Sequence, residues 1–269
     1  AAETPNTHFE ISSPAFPDAY IITETTPSTV AFDGSSGSLG SISATVFVEE
    51  TYDMVNNELI ITDSRLLSKD EVMAIGVDNF APLSEVPMPR AATITRGRLT
   101  ITFSGVYNTS NGVSCNLTGT AHWDDSGLHT EGENYCATGE DFIGVTWSGS
   151  FTAKSHSISG KNQLGGALTI YNSDSTPNAG RVWSFKDSNP TSKYTLYAKD
   201  INLNVNISKN TLTGNGNTAE AVLKYIHTYS KVKGSISITP GSETVAGSFS
   251  LSNTDRQWSL VCTVTNIPY

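Results

Sequence analysis

INLNVNIS, residues 201–208, alternates Ile201, Leu203, Val205 and Ile207 with Asn202, Asn204 and Asn206. A helix would scatter those four aliphatic side chains around its axis. A strand sends all four to one face and the amides to the other, so this stretch is a strand with one dry and one wet side. That pattern belongs to antiparallel sheets, because parallel sheets are covered on both faces and read as continuous apolar runs.

The same period of two runs outward from this stretch in both directions. In RGRLTITFSG (96–105) Leu99, Ile101 and Phe103 alternate with threonine and serine. KGSISIT (233–239) carries Ile236 and Ile238, and GSFSLS (247–252) carries Phe249 and Leu251. Asp33-Gly34, Asn111-Gly112, Ser159-Gly160, Asn215-Gly216 and Pro240-Gly241 supply turn chemistry between such runs. Trp258, Leu260, Cys262 and Val264 share one side of a late strand, so Trp258 and Cys262 are expected in the core, as is Trp147 in VTWSGSF. Trp183 is open between core and surface. One helix is expected: Ser68 and Glu71 form a capping-box pair ahead of Val72, Met73 and Ile75, a short connector between strands.

The chain has 269 residues, enough for two domains. Strands before residue 140 are irregular and separated by long polar loops such as 82–89, whereas about eight closely spaced strands follow it, the number that closes an up-and-down barrel. The expected fold is therefore all-β: an N-terminal β-rich ligand-binding handle over residues 1–140, then an eight-stranded antiparallel β-barrel over 141–269.

Charged residues make up only 16% of the chain and the formal net charge is −10. Serine, threonine, asparagine and glycine replace missing hydrophobics, which suits the wet face of strands and argues against disorder. Sixteen scattered basic residues offer no positive face for nucleic acid or an anionic membrane. No apolar run approaches the ~18 residues of a membrane-spanning helix. The opening AAETPNTHFE has neither a basic nor an apolar leader region, and reads as a mature end from which a signal peptide, with any lipidated cysteine, has been removed.

Nucleophile elbows and phosphate-loop motifs are missing, so no catalytic residue is assigned and a non-enzymatic role is expected. The densest polar stretch is AHWDDSGLHTEGENYC (121–136). Its His122, Trp123 and His129 are the candidate ligand-binding residues. With Asp124, Asp125, Glu131 and Glu133 the histidines offer donors for a divalent ion, or one axial ligand for haem, with His8 a further haem candidate. An acidic hairpin loop accounts for the same residues, and no metal site is assigned. Cys115 and Cys136 flank this turn-rich stretch and are expected to form a disulfide. Asn108, Asn116 and Asn206 head Asn-x-Ser/Thr patterns.

KGSISITPGSETVAGSF (233–249) resembles a hairpin near the end of the barrel in transferrin-binding-protein-B-like lipoproteins, a group that includes factor-H-binding proteins and hemophilins. Glu243, Val245, Ala246, Gly247 and Phe249 stand where that hairpin has its acidic residue, "V-A-G" turn and aromatic strand. YTLYAKDINLNVNISKNTLTG (194–214) is similar to another hairpin of the group. The resemblance covers residues 142–269; Thr239-Pro240-Gly241 shortens the family's turn, and residues 1–140 match nothing in it. It implies a Gram-negative surface or secreted protein, lipid-anchored or released, exported by a Slam-type outer-membrane translocon. The partner would be a host protein, glycan or haem, met during host colonisation. Haem acquisition is the alternative reading, and a carbohydrate-binding or carbohydrate-active protein the second.

Overall fold

The computed structural model describes residues 7–29, 36–56, 58–80, 93–110, 112–124, 139–190, 195–209, 217–229, 234–253 and 255–269. In chain order the strands are β1 (His8–Ser12), β2 (Ile21–Thr26), β3 (Gly37–Val55), β4 (Glu58–Leu66), β5 (Thr93–Asn108), β6 (Val113–Asp124), β7 (Glu140–Trp147), β8 (Thr152–Asn162), β9 (Ile170–Thr176), β10 (Gly180–Lys186), β11 (Ser188–Pro190), β12 (Thr195–Lys209), β13 (Thr218–Thr228), β14 (Ile236–Thr239), β15 (Ser248–Leu251) and β16 (Gln257–Pro268), with one helix, α1 (Lys69–Ile75). The fold is all-β and every strand pair is antiparallel.

Two sheets face each other. The larger runs β11-β12-β6-β5-β3-β2, with β8 on the β11 side of β12 and β4 following β2 along the free side of β3. The smaller runs β1-β16-β13-β7-β10-β9. Phe103, Leu117, Leu203 and Val205 of the larger sheet and Val145, Leu223, Leu260 and Val264 of the smaller belong to one apolar core. A third element, the β14–β15 hairpin, lies outside the smaller sheet. Its Phe249 and Leu251, with Ile236 and Ile238, pack on Phe142, Val182 and Ile226.

Residue 140 marks no break between these layers. β6, from the first half, pairs with β12, from the second, and β1 pairs with β16 at the far end of the chain. The strands of residues 141–269 are divided between the two sheets, and no closed barrel of them is formed among the described residues. The physical reason is the core: each half supplies strands to both sheets, so neither completes a layer or closes a core without the other.

Local chemistry matches the elements. Ser68 caps α1: its hydroxyl accepts from the Glu71 N–H while the Glu71 carboxylate accepts from the Ser68 N–H. β3 bends at Gly40, whose φ of 86° is the left-handed region that glycine enters without strain, and the register against β5 shifts there. Trp147, Trp258 and Cys262 are core residues, and Trp183 joins them at 3% exposure.

Candidate functional site

The outer face of the larger sheet is the widest polar surface that the strands form. Cross-strand register lines up Ser157, Asn204, Thr118, Ser104, Ser41 and Thr26 in one row, and Ser159, Asn202, Thr120, Thr102, Ser43 and Glu24 in the next. Side chains cross-link the rows: Asn204 Nδ2 donates to Thr118 Oγ1 at 3.0 Å, Thr102 Oγ1 to Ser43 Oγ at 3.2 Å, and Thr45 and Thr100 share a bond of 2.8 Å. Such pairs hold hydroxyls and amides at the spacing of the sheet, ~4.8 Å between strands. Asn116 and Asn206 sit opposite each other on this face, mid-strand.

One end of the face is charged. His122 stands between two carboxylates, with Nδ1 at 2.6 Å from Asp200 and Nε2 at 3.1 Å from Asp124, and Arg98 donates to Asp124 at 3.1 Å. On neighbouring strands Glu49 accepts from Arg65 and Arg96, and Arg65 also donates to Glu71 at 2.7 Å. Those bonds hold the Glu71 carboxyl down at about 2, the Arg65 guanidinium first and the Ser68 N–H second. Beyond this end α1 covers the sheet through Phe47, Leu67, Val72 and Phe80. Among the described residues, no element packs over the Ser/Thr/Asn rows of β5, β6 and β12.

Directly behind the charged end lies a second cluster, and it is buried. His227, near the end of β13, is 3% exposed. Its Nε2 donates to Glu50 Oε1 at 2.7 Å, and its Nδ1 lies 3.0 and 3.1 Å from the two oxygens of Asp141. Both ring nitrogens face carboxylates, so both donate. Burial works against the charged imidazolium, but Asp141 and then Glu50 outweigh it and hold His227 well above the ordinary histidine range. Asp141 also accepts from Tyr225 Oη and from the Thr228 N–H at 2.9 Å, and Glu50 from Ser64 and Tyr52. Asp187 Oδ2 stands 4.0 Å from Nδ1. Trp258, Trp123 and Tyr229 wall the ring, with centroids 4.9, 5.5 and 6.5 Å from it. Glu50 comes from the larger sheet and His227 and Asp141 from the smaller, so the network ties the two layers at one end.

The expected ligand residues do not converge. His122 and Trp123 are neighbours on β6 and point to opposite faces, the histidine outward and Trp123 inward at 7% exposure, where its Nε1 donates to Tyr225 Oη at 3.0 Å. Trp123 is thus a core residue. His129 lies outside the described residues. His8 is exposed and paired with Glu10. Of the pair Cys115–Cys136 expected to form a disulfide, Cys115 is a free and fully buried thiol among the described residues. It stands on the inward side of β6 between Val113 and Leu117, where burial pushes its pKa up, and Cys136 lies outside the described residues. Sequence reasoning missed His227, Asp141 and Glu50. The signal available was parity: His227 continues the inward series Ala219, Ala221, Leu223, Tyr225, an ionisable group on a dry face.

No known family model matches this chain, and no characterised protein matches it. Among solved structures it is similar to one described as "pH-induced modulation of Streptococcus parasanguinis adhesion by Fap1 fimbriae". The identity is 10%, over 93% of this chain and 100% of that one, with a TM-score of 0.29, too distant to support an argument about fold or function.

Proposed function

We propose that this chain is a non-enzymatic binding protein, displayed on the bacterial surface or secreted, that associates with a host by holding a host macromolecule or surface against the outer face of its larger sheet. The observation that supports the reading is the uncovered field of hydroxyls and amides on β5, β6 and β12. Its rows are pre-ordered by cross-strand bonds. A pre-ordered donor–acceptor array loses little entropy on binding and favours partners that are themselves polar and extended. The contrast with β7 and β10, which the β14–β15 hairpin covers, supports reading this polarity as more than what solubility requires.

Export through a Slam-type translocon, with lipid anchoring or release, belongs to the same proposal and rests on the resemblance of residues 233–249. Those residues run from β14 to β15, a hairpin packed on a sheet. The test is retention of labelled protein on cultured animal epithelial cells, with a haemin titration alongside. Saturable retention and a flat titration support the reading. Lack of saturable retention contradicts it, and a one-to-one Soret shift would replace it with haem capture.

A further inference from the structure

The buried cluster at the end of the sandwich has a second use that the binding face does not require. His227 Nδ1, Asp141 and Asp187 each offer one donor atom, and all of these atoms lie within 4.8 Å of one another. Donors ~2.0–2.2 Å from a tetrahedral ion stand roughly 3.3 Å apart. Here Nδ1 is 3.0 Å from Asp141 Oδ2 and 4.0 Å from Asp187 Oδ2, which bracket that value. The other ring nitrogen is already engaged with the Glu50 carboxylate at 2.7 Å. That is the arrangement by which metal-binding histidines are oriented and made better donors, and the aromatic wall around the ring keeps it fixed and dry.

Two further observations point to a ligand. Thr95 is the cross-strand partner of Glu50, so both side chains project from the same side of the sheet. Thr95 is 7% exposed, and among the described residues its buried hydroxyl has no hydrogen-bond partner. Buried hydroxyls are ordinarily satisfied, so this one marks a place beside Glu50 that a further polar atom would fill. The second observation is charge. The Glu50 and Asp141 carboxylates, 2% and 0% exposed, form ion pairs with a single histidine. Exchanging the Nδ1 proton for a divalent ion adds one positive charge where an unbalanced buried carboxylate is costly.

We propose that His227, Asp141 and Asp187 form a site for a divalent first-row transition-metal ion, with Glu50 orienting the histidine from its other ring nitrogen. One imidazole and two carboxylates suit zinc, manganese or ferrous iron, and the absence of thiolate donors disfavours the soft ions. Asp187, whose side chain keeps 11% exposure, is the edge from which an ion enters. The ion ties β7 and β13 of the smaller sheet to the residue between β10 and β11 and, through Glu50, fastens them to the larger.

The experiment uses the whole chain, stripped with a chelator and titrated calorimetrically with Zn2+ and, separately, Mn2+. One ion per chain is expected, with affinity falling tenfold or more in Asp187→Asn. A His122→Asn control, which removes the exposed histidine between Asp124 and Asp200, is expected to leave binding unchanged. If Asp187→Asn fails to fold, 1H–15N NMR of the wild-type imidazoles decides: Zn2+ should shift Nδ1 of His227 and leave Nε2 protonated. Lack of stoichiometric binding, loss of binding in His122→Asn, or an unmoved His227 resonance would each overturn the proposal.

Discussion

Both sheets bury their inner faces, but part of the smaller one, β7 and β10, also buries its outer face, while β13 and β16 alternate as β6 of the larger does. On the larger, β6 alternates strictly between buried and half-exposed residues along its whole length, and the outward set is serine, threonine, asparagine, histidine and aspartate. On the smaller, β7 is buried at nearly every position and β10 at most of them, because the β14–β15 hairpin roofs them. Phe249 of the hairpin sits over Gly144, where a Cβ would come within 2.9 Å of its ring and 2.7 Å of the Arg181 carbonyl oxygen. Lys224 beside it donates to the Phe249 carbonyl at 2.7 Å. The apolar outer faces of β7 and β10 are roofed by the hairpin, and among the described residues no element covers the hydroxyls and amides of β6 and β12. The difference teaches that an outer face is buried where its residues are apolar and covered, as on β7 and β10, and stays half-exposed where they are polar, as on β6 and β16.

The comparison can be broken by mutation, starting with the roof. Phe249→Ala should cost about 3–5 kcal/mol in chemical denaturation, as expected for a buried phenylalanine. Gly144→Ala should cost about 1–3 kcal/mol, because the added methyl meets backbone as well as the Phe249 ring. An unchanged midpoint in either variant would mean that the hairpin does not cover the sheet in solution.

Effects should then shrink across the larger sheet. Ser68→Ala, which removes the cap of α1, should cost about 1 kcal/mol by the same assay. Its partner Glu71 has a carboxyl lowered from 4.5 to about 2, so the stability it contributes is fully present above pH 4.5 and is lost as pH falls toward 2. Glu71 is two-fifths exposed, so this contribution is small and salt-screened. Glu71→Gln should flatten the acid limb of the stability curve slightly, and a limb identical to wild type would remove the Arg65–Glu71 pair from the account. Smallest of all, Thr102→Ala and Thr118→Ala should stay within about 0.5 kcal/mol of wild type. A larger loss would mean that the polar rows are structural.

How much of this was legible in the sequence follows from the same contrast. INLNVNIS, LTITF and the GSFSLS strand showed their period because each has one wet face, and they occupy β12, β5 and β15 as read. The partner of each strand was not legible. β1 finds β16 more than 240 residues away, and His227 finds Glu50 177 residues away, and nothing local to either segment encodes such pairings. Loop length and strand regularity change near residue 140, but strands from either side of it pair with each other, β1 with β16 and β6 with β12. Cys115 shows a local signal overruled by a plausible story. Its place between Val113 and Leu117 at a period of two already marked it as inward, while the turn-rich stretch suggested a bridge. The ionisable core cluster was hidden because a histidine, an aspartate and a glutamate far apart in sequence acquire meaning only when two sheets close on them.

The claim at the centre of this account is that the uncovered face binds and the roofed one does not. Two matched triple variants measure it directly: Thr102→Lys, Thr118→Lys and Asn204→Lys on the open face, and Ser237→Lys, Ser248→Lys and Ser250→Lys on the outside of the hairpin. Both sets add the same charge at surface-facing positions, and both are compared with wild type for saturable retention on epithelial cells. The account predicts that retention is lost in the first set and kept in the second; equal retention in both, or loss confined to the hairpin set, would contradict it.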